Sequence, residues 1–195
     1  MPEDMRCQIV ISGVGGQGVL FITRLLAEAA IEKGLPVFTS ETHGMAQRGG
    51  TVISHLKVGE FASPLINPGR ADGLIALKAE NLAQHGGYLR PGGWAAVNGP
   101  TPPAAPARQF YLDAGRLART LENSWTLNLI MLGYTLSGLQ HGAFGPGAFY
   151  CRLEDVAALL EDRLAAKADQ LQSSLKALKA GARVAAGATN SKPLS

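Results

Sequence analysis

The chain has 195 residues, of which 46% are hydrophobic, and its formal net charge is +3. This length suits one α/β domain with a real core, and the hydrophobic content excludes a disordered chain. The charge is too small to indicate a nucleic-acid-binding protein, and Cys7 and Cys151 are too few and too far apart for a thiolate zinc site or an iron–sulfur cluster.

The N-terminal segment is acidic and has no apolar stretch, so we expect no signal peptide. No apolar run reaches the roughly 18 residues that a membrane span needs, so we expect no membrane association. A cytoplasmic location follows as an expectation, with both cysteines buried as small hydrophobic residues in a reducing compartment.

The first predicted unit is a strand, a glycine-rich turn and a helix. Residues 8–12 form a short apolar strand, and Gly13, Gly15 and Gly18 follow with G-x-G-x-x-G spacing. A helix over 19–33 points its free N–H groups and positive dipole end at the turn, which favours a phosphate there. A tight connection without a ligand is the alternative interpretation of this turn.

A polar, glycine-rich loop follows the second predicted strand, 37–41, which begins after the helix has ended at Gly34. A third strand, 51–58, then alternates polar and apolar residues. Because the loop between them is expected at the carboxyl edge of a parallel sheet, beside the glycine turn, Arg48 and Lys57 could meet phosphates or carboxylates. The alternative is a polar loop that only covers the sheet edge. Together, the turn and the loop give these candidate cofactor-binding residues: Gly13, Gly15, Gly16, Gln17, Gly18, Thr42, His43, Gln47, Arg48, Gly49, Gly50 and Ser54.

Strands and helices alternate through the rest of the chain. The further predicted strands are 71–77, 94–98 (after a turn at 91–93) and 108–112. The further predicted helices are 79–88, 113–122, 125–139 and a long amphipathic helix over 153–180 that ends at Gly181. This order predicts an α/β fold in three layers, a doubly wound, mostly parallel, Rossmann-like sheet. We expect a single domain over 1–182 and a mobile C-terminal tail over 183–195.

Known catalytic signatures are missing from the sequence. It has no P-loop and no nucleophile elbow, and His43 and His55 have no carboxylate at metal-ligand spacing, so we assign no metal site and no catalytic residue. His85 and His141 stand beside glycines and are interpreted as solvated loop residues. Glu41 ends the second strand 23 residues after Gly18, which is late for the acidic residue of a dinucleotide site.

Taken together, the turn over 12–19 and the loop over 42–50, which reads Thr-His-Gly-Met-Ala-Gln-Arg-Gly-Gly, resemble a known family. They are similar to the gamma-type subunit or domain of 2-oxoacid:ferredoxin oxidoreductases, and within that group to the smaller (beta) subunit of indolepyruvate ferredoxin oxidoreductase. The resemblance covers roughly residues 5–181. One departure is Lys78, because the family often has a glutamate at that position.

The resemblance implies a subunit that is inactive alone. It implies a larger partner chain carrying thiamine diphosphate and 4Fe–4S clusters, electron transfer to ferredoxin, and coenzyme A as a substrate shared with this chain. No cofactor is assigned to this chain alone, and homodimerisation is left open. Two alternatives are a free-standing nucleotide-binding Rossmann enzyme and a non-catalytic scaffold whose 42–50 loop only docks a partner.

Overall fold

The computed structural model describes residues 5–43, 50–102, 108–123, 126–144 and 149–189. The strands in these ranges are β1 (Cys7–Val14), β2 (Val37–His43), β3 (Thr51–Val58), β4 (Ala71–Ala76), β5 (Leu89–Asn98) and β6 (Gln109–Leu112). The helices are α1 (Val19–Glu32), α2 (Ala79–His85), α3 (Ala114–Thr120), α4 (Leu127–Gln140), α5 (Leu153–Leu164) and α6 (Ala168–Thr189). A 3₁₀ turn over Gly86–Tyr88 joins α2 to β5.

The described strands form one sheet in the order β2-β3-β1-β4-β5-β6. β1, β4, β5 and β6 pair in parallel, whereas β3 is antiparallel to both of its neighbours, β1 and β2. The prediction of a mostly parallel sheet is confirmed, and β3 is the exception. Because β3 lies between β1 and β2, the second strand of the chain does not touch the first.

Helices cover both faces of the sheet, as the three-layer prediction requires. On β1, Ile9 and Ile11 face a large core shared with α1 and α3 to α6, whereas Val10 faces a smaller core on the other side. That smaller core is closed by Leu82 of α2, by Tyr88 and by Ile66 of the β3–β4 connection. Alternation along a strand sends successive side chains to opposite faces, so both faces of β1 are apolar.

α4 is buried on all sides, since twelve of its residues are buried. It packs against α6 through one glycine on each helix. A Cβ atom at Gly133 would lie 1.9 Å from the carbonyl oxygen of Leu178, and one at Gly181 would lie 1.9 Å from that of Ile130. Gly181 was predicted to end a helix, and this prediction is wrong: it lies inside α6 because only glycine allows the two backbones to approach so closely.

The single long helix predicted over 153–180 is in fact two helices, α5 and α6. They are separated at 165–167, where the Lys167 N–H donates to the Leu164 carbonyl. The apolar stripe is continuous in sequence because both helices bury it in the same core. α6 continues to Thr189 and Ala185 is buried, so the predicted tail does not begin at 183; residues 190–195 lie outside the described residues.

The predicted turn at 91–93 falls inside β5, at an irregular stretch of the strand where Gly92 has a φ of 78°. The register between β4 and β5 shifts between the pairs Ala71–Leu89 and Gly73–Trp94, and Pro91 falls in this irregular stretch. A bulge leaves backbone groups outside the ladder, which is where a proline is tolerated within a strand. The predicted end of α1 is confirmed, since Gly34 has a φ of 71° and donates its N–H to the Ile31 carbonyl.

Candidate functional site

The turn between β1 and α1 needs glycine at three positions. Gly16 and Gly18 have φ values of 93° and 78°, in the left-handed region. A Cβ atom at Gly13 would lie 2.9 Å from Gln17 Oε1 and from Val19 Cγ2. The chain can therefore turn sharply here and leave backbone N–H groups facing outward at the start of α1.

Side-chain amides fix this turn to the carboxyl edge of the sheet. Gln17 Oε1 accepts a hydrogen bond from the Val14 N–H at 2.9 Å, and Gln17 Nε2 donates to the Leu77 carbonyl at 3.3 Å. Asn98 Nδ2, at the end of β5, donates to the same Leu77 carbonyl at 2.9 Å. The amide of Gln17, a candidate binding residue, is thus engaged inside the protein, where it positions the turn.

A cleft of about 500 Å³ opens in front of the turn, lined by Gly15, Gly16 and Gly18 and by the side chains of Arg24 and Arg163. The residue preceding α1 is Gly18, so no side chain caps the first N–H groups of the helix. Uncapped N–H groups, the positive end of the helix dipole and two arginines all favour an anion. The cleft is therefore suited to a phosphate or carboxylate group.

Sequence reasoning missed both arginines of the cleft. Arg24 is exposed on the second turn of α1, and a basic residue so soon after a glycine turn was an available signal. Arg163 comes from α5, and its guanidinium forms an ion pair with Glu28 of α1. No local pattern connects Arg163 to the turn, because the packing of α5 on α1 brings them together.

The 42–50 loop meets the glycine turn at its C-terminal end, where the Gly15 N–H donates to the Gly50 carbonyl at 3.0 Å. Thr42 and His43 end β2, opposite Ile53 and Val52 of β3. Gln47, Arg48 and Gly49 lie outside the described residues, and their role in binding stays a prediction.

Two residues of β3, Ser54 and Lys57, do not line the glycine cleft, for different reasons. Ser54 is completely buried, and its Oγ has no hydrogen-bond partner among the described residues. Lys57 pairs with Gln8 at the beginning of β1, and its Nζ lies 5.0 Å from the centre of the Phe61 ring. Lys57 was expected to meet an anion beside the glycine turn, and this is wrong: an antiparallel strand carries it to the opposite edge of the sheet.

A buried polar cluster occupies the smaller face of the sheet. Ser12 Oγ lies 2.8 Å from His85 Nδ1, so His85 is a half-buried residue at the end of α2 and not the solvated loop residue predicted. His55 Nδ1 accepts the Ile66 N–H at 3.3 Å, and its ring meets the Tyr88 ring edge-on with centroids 5.3 Å apart. Burial lowers the pKa of both histidines, and the neighbouring His85 and Lys57 lower that of His55 further.

Both cysteines are buried, as expected, and burial raises the pKa of the Cys7 and Cys151 thiols. In the part of the chain that the structure describes, no three His, Cys, Asp or Glu side chains are placed to hold a metal ion. None of the described helices is both long enough and apolar enough to cross a membrane.

Comparison with known proteins identifies the family. The profile of the family described as "Pyruvate ferredoxin/flavodoxin oxidoreductase" matches residues 8–184. This chain belongs to that family. The match includes the glycine turn, the 42–50 loop and every described strand except the first residue of β1.

Among curated relatives are two archaeal proteins named "Indolepyruvate oxidoreductase subunit IorB". The one from Thermococcus kodakarensis is 39% identical over 149 residues, which is 64% of this chain and 74% of the relative. The one from Archaeoglobus fulgidus is 48% identical over 85 residues, which is 44% of this chain. That match covers 42% of the Archaeoglobus protein, less than half of its length.

Solved structures share the fold of this family member. The gamma subunit of a keto/oxoacid ferredoxin oxidoreductase from Geobacter sulfurreducens aligns with a TM-score of 0.72 at 22% identity, covering 93% of this chain and 99% of that one. A 2-oxoglutarate:ferredoxin oxidoreductase from Magnetococcus marinus, with 2-oxoglutarate, coenzyme A and succinyl-CoA bound, aligns with a TM-score of 0.74 at 21% identity, over 97% of this chain and 32% of that chain.

Two positions noted from the sequence, Glu41 and Lys78, can now be placed in this family member. Glu41 is exposed on β2, which β3 separates from β1, so it lies two strands, or about 10 Å, from the strand that leads into the glycine turn. A dinucleotide site needs its acidic residue on the strand beside the turn, and this arrangement argues against such a site. Lys78 Nζ lies 3.5 Å from Glu80 Oε1, and both side chains are exposed.

Proposed function

We propose that this chain is a subunit of a 2-oxoacid:ferredoxin oxidoreductase and helps to form its active site. A larger partner chain carries thiamine diphosphate and 4Fe–4S clusters, decarboxylates the 2-oxoacid and passes electrons to ferredoxin. Membership of the family supports this role, and the two cysteines of this chain are too few to ligate such a cluster. A cytoplasmic location is part of the proposal.

The substrate we propose is an aryl 2-oxoacid such as indolepyruvate, converted to the corresponding acyl-CoA. The support is the similarity to relatives named as indolepyruvate oxidoreductase subunits, at 39% and 48% identity. Relatives named "Ketoisovalerate oxidoreductase subunit VorA" are also similar, one of them at 31% identity over 154 residues, so a branched 2-oxoacid is the natural comparison substrate.

We further propose that the glycine cleft binds the pyrophosphate of coenzyme A. The observation that carries this is the uncapped start of α1, facing a cleft that Arg24 and Arg163 also line. At Gly16, a Cβ atom would meet no described atom within 4 Å, so the backbone there is open toward the cleft. Backbone N–H groups at a helix N-terminus bind phosphates without a side chain, and arginine adds charge-assisted hydrogen bonds.

The assembly is tested by tagging the chain and purifying it anaerobically from its native cells. We expect a larger iron–sulfur chain to co-purify, and the eluate to reduce a viologen dye when indolepyruvate is added with coenzyme A. Ketoisovalerate should support slower reduction. A chain that elutes alone with a bound nucleotide contradicts the proposal and favours the free-standing Rossmann enzyme.

The coenzyme A site is tested in the assembled enzyme with Arg24→Ala and the matched control Arg183→Ala, which removes an exposed arginine from α6. We expect Arg24→Ala to raise the KM for coenzyme A about tenfold, which corresponds to one lost charge-assisted hydrogen bond. Arg183→Ala should leave this KM unchanged. If Arg24→Ala changes only the yield of complex and never the KM, the scaffold interpretation is favoured.

A further inference from the structure

Two ion pairs of the described residues join α1 to α5. Arg163, the last residue but one of α5, pairs with Glu28 of α1. Lys33, which directly follows α1, pairs with Asp155 in the first turn of α5, so the two helices run in opposite directions. Of these four side chains, only that of Arg163 lines the glycine cleft.

The two arginines of the cleft are held differently. Arg24 is exposed, and in the part of the chain that the structure describes it forms no ion pair. Arg163 donates from Nη2 to Glu28 Oε1, and these two side chains are 35% and 36% exposed. A guanidinium carries five N–H donors, so this bond leaves others for an anion in the cleft.

We propose that Glu28 is a positioning residue, whose carboxylate holds the Arg163 guanidinium at the glycine cleft before a ligand binds. The inference rests on the proposed binding of the coenzyme A pyrophosphate in that cleft. Glu28 lies four residues after Arg24, which puts both side chains on the same side of α1. It does not line the cleft itself, so it acts through Arg163.

Two opposing effects of the Glu28 carboxylate decide the direction of the expected change. Ordering one long, free side chain when a ligand binds lowers affinity about two- to tenfold. Because Glu28 already orders Arg163 in the absence of a ligand, this loss is avoided. The same carboxylate repels a bound anion, but at about one-third exposure water and salt weaken the repulsion. We therefore expect the loss of Glu28 to weaken anion binding.

The test uses variants of Glu28 and Arg163 in the assembled enzyme, purified anaerobically. We expect Glu28→Ala to raise the Kd of coenzyme A about threefold by isothermal titration calorimetry, and to leave kcat at saturating coenzyme A unchanged. Glu28→Gln keeps an oxygen that accepts the Arg163 N–H and removes the negative charge, so it should restore the affinity. Because Glu28 acts through Arg163, Glu28→Ala should have no further effect in an Arg163→Ala protein.

The matched control is Lys33→Met, which removes the other ion pair between the same two helices. Lys33 and Asp155 are 24% and 23% exposed, so this pair is no more exposed to solvent than the first. Asp155 keeps its hydrogen bond from the Arg152 N–H in the variant, so the start of α5 stays capped. Lys33→Met should leave the Kd of coenzyme A unchanged.

Three results overturn the inference and leave the proposed coenzyme A site standing. Equal weakening by Lys33→Met and Glu28→Ala would show that Glu28 only tethers α5 to α1. Tighter binding in both Glu28 variants would show that the carboxylate competes with the ligand for Arg163. No change in either Glu28 variant, with a higher Kd in Arg163→Ala, would show that Arg163 needs no support.

Failure of the proposed function gives a different result. If Arg24→Ala and Arg163→Ala both leave the Kd of coenzyme A unchanged, the pyrophosphate does not bind in the glycine cleft. The proposed site is then wrong, and this inference fails with it.

Discussion

Alanine at Gly18 should destabilise the protein more than alanine at Gly16, although both glycines have a left-handed backbone. Each substitution places a side chain at positive φ, which costs about 1–2 kcal/mol. At Gly16 nothing described lies within 4 Å of the new Cβ, whereas at Gly18 the Cβ would be 2.1 Å from Asn128 Nδ2. Displacing the buried Asn128 adds about 1–3 kcal/mol, so we expect losses of about 1–2 and about 2–5 kcal/mol.

Urea unfolding followed by far-ultraviolet circular dichroism measures this difference. With a slope of about 2 kcal/mol per molar urea, the two midpoints should differ by about 0.5–1.5 M, with Gly18→Ala the lower. Coenzyme A affinity gives a second measurement. Gly16→Ala puts a methyl group into the cleft, so it should weaken coenzyme A binding although it costs little stability. Equal midpoints would contradict the close approach of Asn128 to Gly18 that the structure shows.

Two further predictions concern the core and pH. Gly181→Ala should lower the Tm by several degrees, because its Cβ would meet backbone atoms of α4 that cannot rotate away. Gly187→Ala is the control: the position is exposed on the same helix and its Cβ would meet no described atom within 4 Å, so the Tm should stay equal or rise slightly. A Gly181→Ala protein as stable as the Gly187→Ala protein would contradict the close crossing of α4 and α6. The free energy of unfolding should fall as the pH drops below about 6.5, the ordinary pKa of histidine, because the unfolded chain then binds protons that His55 and His85 resist in the folded protein. The loss ends below their lowered folded pKa values. His55→Gln should flatten this slope in urea titrations between pH 7 and pH 5, and an unchanged slope would show that His55 does not cause it.

The parts of the fold that depend on local chemistry were predictable. The glycine turn, α1 and its end at Gly34 follow from residues within one or two turns of each other, and β3 was predicted over the same residues that the structure shows. The direction of β3 was not predictable, because alternation gives the same pattern in a parallel and an antiparallel strand. Lys57 was misplaced for this reason alone.

The errors elsewhere come from contacts between distant segments. Gly181 has the sequence signature of a helix end, but Ile130 on α4 explains why a glycine is required there. His85 stands beside two glycines in sequence, and its partner Ser12 is 73 residues away. Arg163 and Asn128 reach the glycine turn only because α5 and α4 pack beside α1, so no spacing rule could have included them in the candidate site.

The antiparallel insertion of β3 makes residues 37–58 a β-hairpin whose connecting segment is 44–50. Its second strand pairs with β1 along all eight of its residues, so the ladder fixes both ends of that segment independently of its sequence. Length and composition between the two strands can then diverge among homologous proteins at little thermodynamic cost, while the backbone of the glycine turn beside it stays in place. Selectivity can evolve on the hairpin, and the chemistry common to the family can be conserved on the neighbouring helix.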